Sequence, residues 1–149
     1  MEYVLNNSIS FRLSRVANVL HAGFSKCLEE YDIAPEQFGT LRIVSEDGKI
    51  TQSEIAEILA KGRPTVNRAL GALEKKGLIV RESDRDDRRI KPIRLTGKGQ
   101  KLLDNVVPKA KQFNDAVKAR LTPGEIDTFF RVLDTIVETA EEHAKQQGE

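Results

Sequence analysis

Within six positions, Arg63, Pro64, Thr65, Asn67 and Arg68 gather side chains suited to the edges of bases and to phosphates. An arginine can fork onto guanine and an asparagine onto adenine, while a threonine can touch a phosphate or a thymine methyl. A second group, Arg85, Asp87, Arg88 and Arg89, lies in the run from Asp84 to Arg89, a turn too polar to be core. Lys75, Lys76 and Arg81 are further cations able to meet phosphate, although lysines closing a helix also suit its dipole. Any one of these residues could equally belong to a solvated surface, so their concentration is the signal. Residues 61–95 hold 11 Lys/Arg against 5 Asp/Glu, whereas residues 1–60 hold 5 against 9 and residues 96–149 hold 8 against 9. The net charge of +1 therefore hides one short basic block. Only charges that reach phosphates release counterions, and a localised basic face is what a polyanion requires.

Other chemistry is sparse. Cys27 is the sole cysteine, which excludes an intramolecular disulfide. It is a candidate redox sensor, although free cysteines are more commonly small buried hydrophobes. His21, His143 and Cys27 form no recognised ligand spacing, so neither a metal nor a cofactor is expected. Phosphate loop, nucleotide-binding glycine motif and nucleophile elbow are all missing, and the carboxylates are scattered, which points away from an enzyme. No apolar run approaches a membrane span or a signal segment, and the expected location is the cytoplasm.

The elements that must position the basic block follow from periodicity. Apolar residues make up 39% of the chain and charged residues 32%, an ordered and helix-rich composition. Ile9, Leu13, Val16, Leu20, Phe24 and Leu28 recur at steps of three and four, predicting a long helix that opens near Ser8 and ends before Asp32. Pro35 suits the first turn of a short second helix with Phe38, Leu41 and Val44 inward, ending at Asp47-Gly48. Thr51 and Glu54 fit a capping box, in which hydroxyl and carboxylate satisfy each other's backbone donors, and open a third helix that Lys61-Gly62 breaks. A fourth runs from about Arg63 to Lys76, with Val66, Leu70 and Leu73 inward and Gly77 as its cap. Two helices joined by so tight a turn suggest helix-turn-helix.

Leu78 to Ser83 and Ile90 to Leu95 are β-prone segments that read as a hairpin, and Pro92, lacking a donor, places its strand at an edge. A long helix is expected after Thr96-Gly97-Lys98-Gly99, bent near Pro108. Thr122-Pro123-Gly124-Glu125 is a second capping box, and the polar tail from Glu141 is expected to fray. The outer stripes carry more apolar surface than a module of this size can cover. Ile9, Leu13, Phe113, Val117, Phe129, Phe130, Leu133, Ile136 and Val137 are thus the expected contacts of a homodimer with two-fold symmetry.

The stretch Ile50 to Ala56 through Arg63 to Arg68, then Leu73 to Ile79, closely resembles the helix-turn-helix of MarR regulators. Asp86-Asp87-Arg88-Arg89 leading into Ile93-Arg94-Leu95-Thr96 resembles the wing of the same family. Glycine at Gly62 departs from the polar cap many members carry there. The resemblance implies a mainly α chain with a small β-hairpin wing, a winged helix-turn-helix with N- and C-terminal dimerisation helices. It further implies one domain over residues 1–149, with the DNA-binding lobe at about 33–99 and dimerisation helices at about 8–31 and 100–146. Its partners would be double-stranded DNA carrying a pseudo-palindromic operator, a second copy of the chain and a small-molecule effector, with no membrane. The implied activity is repression relieved by an aromatic acid, another lipophile or an oxidant. Arg88 and Arg89 would then enter a narrow minor groove, with Asp87 holding one of them in position. The alternative is a winged helix that binds proteins, which would more naturally expose apolar anchors where this chain has Arg63, Asn67 and Arg68.

Overall fold

The computed structural model describes residues 2–81 and 92–148. Two compact units emerge, Met1–Ala110 and Lys111–Glu149. The expected bases Arg85, Arg88 and Arg89, with Asp87, lie outside the described residues.

In the first unit, helix α1 (Ile9–Cys27) opens on Ser8, whose hydroxyl oxygen accepts from the Phe11 N–H at 3.2 Å. A single 3-10 turn, Glu29–Tyr31, leads to Asp32 in the left-handed region (φ 51°). Helix α2 (Pro35–Glu46) begins with its proline at the first position, where no donor is lost, and the Ala34 N–H donates to Gln37 Oε1 at 3.1 Å. Asp47 closes the following turn by accepting from the Lys49 N–H at 3.0 Å.

Helix α3 (Gln52–Leu59) starts on Thr51, which accepts from the Glu54 N–H at 3.3 Å. The return bond of the expected box differs: Glu54 Oε1 accepts from the Thr51 hydroxyl, at 3.0 Å, rather than from its backbone. The break before helix α4 (Arg63–Lys75) also differs from expectation. Ala60, not a glycine, takes the left-handed cap (φ 52°), while Gly62 is an extended N-cap. The Ala60 conformation is held by N–H bonds from Ala60 and Lys61 back into α3. Gly77 (φ 74°) ends α4 as expected.

Strands β1 (Ile79–Arg81) and β2 (Ile93–Leu95) pair antiparallel in the register Ile79↔Leu95, Val80↔Arg94 and Arg81↔Ile93. The strand after Pro92 lies at an edge of this two-stranded sheet, as expected, and the Ile93 N–H donates to the Ile50 carbonyl at 3.1 Å. The backbone before α3 therefore flanks β2 on the side away from β1. Helix α5 (Gly97–Lys118) starts earlier than expected, within the glycine-rich stretch, since Thr96 Oγ1 accepts from the Gly99 N–H at 3.0 Å and caps it. Pro108 sits inside α5 and removes one bond of its ladder without ending the helix.

The core of this unit draws on α2, α3, α4, both strands and α5, with Leu28 from just beyond α1. Leu28, Leu41, Val44, Ile55, Val66, Leu70, Leu73, Ile79, Ile93, Leu103 and Val106 are buried together. Each stabilises the fold by about 1.5–3 kcal/mol relative to exposure. Thr40, the buried polar residue among them, donates its hydroxyl to the Glu36 carbonyl at 2.9 Å.

In the second unit the end of α5 turns through Ala119–Leu121 into helix α6 (Pro123–Gln147). The Thr122–Glu125 box forms as read: Glu125 N–H to Thr122 Oγ1 at 3.1 Å and Thr122 N–H to Glu125 Oε1 at 3.0 Å. The tail from Glu141 does not fray but stays helical to Gln147, consistent with the alanine, glutamate, lysine and glutamine that fill it.

Candidate nucleic-acid interface

Helix α4 separates its residues cleanly. Val66, Leu70 and Leu73 are buried, while Arg63, Pro64, Thr65, Asn67, Arg68 and Lys75 are exposed. The sharp turn through Ala60 and Gly62 sets the start of this helix against the end of α3, and Gly62 leaves the first-turn N–H groups without a side-chain cap. Such donors, with the positive end of the helix dipole, favour an anion.

Not every cation of the basic block is available. Lys76 donates to the Asp32 carbonyl at 2.7 Å and to Gln37 Oε1 at 3.2 Å, so it ties the foot of α4 to the entry of α2 rather than facing solvent. Arg81 turns back onto α4, donating from Nη1 to Asn67 Oδ1 at 2.8 Å and from Nη2 to the Asn67 carbonyl at 3.1 Å. Both side chains therefore carry protein partners as well as charge. Lys98, which the sequence did not single out, donates to the Lys76 carbonyl at 2.9 Å.

Two clefts of the first unit adjoin these elements. One, about 400 Å³, lies between Tyr31, Asp32 and the start of α5, with Lys76, Lys98 and Lys101 on its walls and Leu78 and Leu102 beneath. Partial burial, and then the Glu30 carboxylate, push the Tyr31 phenol above its ordinary value. The other, about 300 Å³, joins α1 and α2 to the helix-turn-helix, where His21 and Glu36 pair at 3.3 Å across from Thr65 and Val66. Cys27 is half-buried, and its thiol makes a local bond to the Gly23 carbonyl at 3.6 Å.

Of the expected dimer contacts, Ile9, Val117, Phe129, Phe130 and Val137 are exposed, and Leu13, Phe113, Leu133 and Ile136 are half-buried. Within the second unit, Lys118 Nζ lies 5.7 Å from the centre of the Phe130 ring. Among the described residues no helix is long and apolar enough to cross a membrane.

The family model of the MarR family matches residues 31–90. An HTH-type transcriptional regulator of Bacillus cereus is 30% identical over 112 residues, covering 75% of this chain and 74% of that protein. This chain belongs to the MarR family. Solved MarR-type structures superpose on it over most of its length. MepR of S. aureus in complex with DNA gives a TM-score of 0.82 at 28% identity, covering 89% of this chain and 98% of MepR. The repressor CouR bound to a 23-mer DNA duplex gives 0.79 at 28% identity, covering 92% and 99%.

With a MarR fold assigned, the residues that sequence reasoning undervalued are Arg81 and Lys98. Both were visible as cations, but the carbonyls they meet lie 14 and 22 residues away, beyond any local pattern.

Proposed function

We propose that this MarR-family chain is a sequence-specific regulator that binds double-stranded DNA as a homodimer, represses transcription in the cytosol and is released by a small effector. The observation that carries the reading is the division of α4, with three apolar side chains in the core and Arg63, Thr65, Asn67 and Arg68 turned outward. A helix so presented places base-reading chemistry where a major groove can receive it. The MepR and CouR complexes with DNA support DNA binding by likeness. In this reading Arg88 and Arg89 serve the minor groove, and the apolar residues of α1, α5 and α6 meet those of a second copy.

Release requires an effector that binds one arrangement of the two lobes better than the other. CouR is also known bound to p-coumaroyl-CoA, at 27% identity to this chain. The cleft suits an anionic, partly apolar compound, because Lys98 and Lys101 line it together with Leu78 and Leu102. Such a ligand would compete for the Lys98 ammonium, which holds the foot of α4. The test is a gel shift on the chain's own upstream region with competitor DNA, followed by titration with aromatic acids. Specific retention and release by an acid is expected. Binding indifferent to sequence would instead favour a protein-interaction module.

A further inference from the structure

Arg81 lies along one stripe of α4 formed by Asn67, Gly71 and Glu74, spaced four and three residues apart. Its side chain is 21% exposed, with Nη1 on Asn67 Oδ1 at 2.8 Å and Nη2 on the Asn67 carbonyl at 3.1 Å. Nε is buried without a hydrogen bond, 4.0 Å from Glu74 Oε1. The guanidinium passes Gly71 at contact distance: a β-carbon there would stand 3.4 Å from Nη2. Two bonds to one residue, one to its side chain and one to its backbone, fix both the rotamer of Asn67 and the strand that carries Arg81.

This contact decides which way the amide faces. A guanidinium has donors only, so the Asn67 oxygen must turn toward it and the NH2 group away. The fork between asparagine and adenine needs the amide to offer one acceptor and one donor to the same base edge. With Oδ1 turned toward Arg81, the NH2 group is what Asn67 presents on the other side, and donors match acceptors, foremost guanine O6 and N7. Adenine would bring its own N6 donor against them. We infer that Arg81 is a positioning residue that holds Asn67 in its donor orientation, so that the chain favours guanine over adenine where Asn67 meets the groove. The inference rests on the proposed reading of α4 as the groove-entering helix, and it names what one position of that helix selects.

The test is selection from randomised duplexes, followed by anisotropy titrations with single base-pair changes in the selected site. For the native chain, replacing the favoured guanine by adenine at one symmetric pair of positions should weaken binding about tenfold. Arg81→Gln should reduce that preference to within about twofold while leaving the position read by Arg68 unchanged. Asn67→Asp keeps an acceptor for Arg81 but removes the donors, so it should lose the same preference in a chain whose thermal unfolding is unaltered. Arg81→Lys should behave like Arg81→Gln, because an ammonium cannot replace the planar two-point hold; retention of the preference in Arg81→Lys would mean that charge alone matters. Undiminished guanine preference in Arg81→Gln, or adenine preference in the native chain, overturns the inference and leaves the functional reading standing. Failure of the native chain to select any sequence overturns both.

Discussion

Gly99 in α5 sits so close to Leu78 that a β-carbon on it would collide with the Leu78 carbonyl oxygen and come within 2.9 Å of Leu95 Cδ1. That carbonyl is already in use, accepting from the Thr96 N–H at 3.1 Å, so it has little freedom to withdraw. Gly99→Ala should cost about 1–3 kcal/mol, as overpacking against backbone does. Gly97→Ala, where a β-carbon meets nothing within 4 Å, should be neutral or stabilising by about 0.5–1 kcal/mol through helix propensity. Denaturant melts of the two variants check this, and equal losses would refute the packing account.

Glu125 gives stability a pH dependence of known sign. The bond from the Thr122 backbone N–H, then one with the Thr122 side chain, hold the carboxyl below its ordinary value. A lowered folded pKa means that its contribution is fully present above the unfolded value and is lost as pH falls through the folded one. Glu125→Gln should therefore flatten part of the acid limb of the melting temperature against pH. The variant and the native chain should converge at the most acidic pH.

Arg68 and the wing arginines should fail differently. Arg68→Ala should cost on the order of 1–3 kcal/mol on the preferred operator and relax one symmetric pair of positions, with little effect on non-specific DNA. Replacing Arg88 and Arg89 together should weaken binding to most sequences and lower the salt slope by up to about four units per dimer. Titrations at several salt concentrations distinguish the two patterns. An unchanged slope in the double variant would remove the wing from the interface.

Phe129 and Phe130 are 47% and 50% exposed on α6, with their rings 6.3 Å apart, an apolar pair left half open to solvent. Charged residues at Phe129 and Leu133 should produce monomers or aggregates, and thermal stability of the native chain should rise with its concentration. A well-folded native monomer in sedimentation would contradict the dimer.

What the sequence made legible was local. Ser8 with Phe11 and Thr122 with Glu125 are caps built within three residues, and Val66, Leu70 and Leu73 share a face by spacing alone. The left-handed Ala60 was not legible, because nothing in an alanine signals that conformation and only its bonds to Ala56 and Glu57 enforce it. Nor was the Ile93–Ile50 bond, which joins backbone groups that carry no side-chain signature. In the candidate interface the residue types could be read, but which donors and acceptors remain available could not. Lys76 illustrates why: its partner at Asp32 is 44 residues away.

The ties that hold α4 are unevenly distributed along it. Lys98 grips the Lys76 carbonyl, Thr96 donates to the Gly77 carbonyl at 2.7 Å, and Lys76 reaches Asp32, all at one end. Among the described residues no comparable polar tie reaches the first turn, where Arg63 and Thr65 stand. Mechanically this is an arm with most of its holds at the foot and one further hold, the Arg81 pair of bonds to Asn67, short of the tip. Thirteen residues make a beam about 20 Å long, so a tilt of roughly 3° at the foot carries the far tip about 1 Å. That travel spans the difference between a made and a broken hydrogen bond. Amplification of this kind would let a disturbance too small to change the fold at Lys98 be felt as a lost letter at the opposite end of the helix.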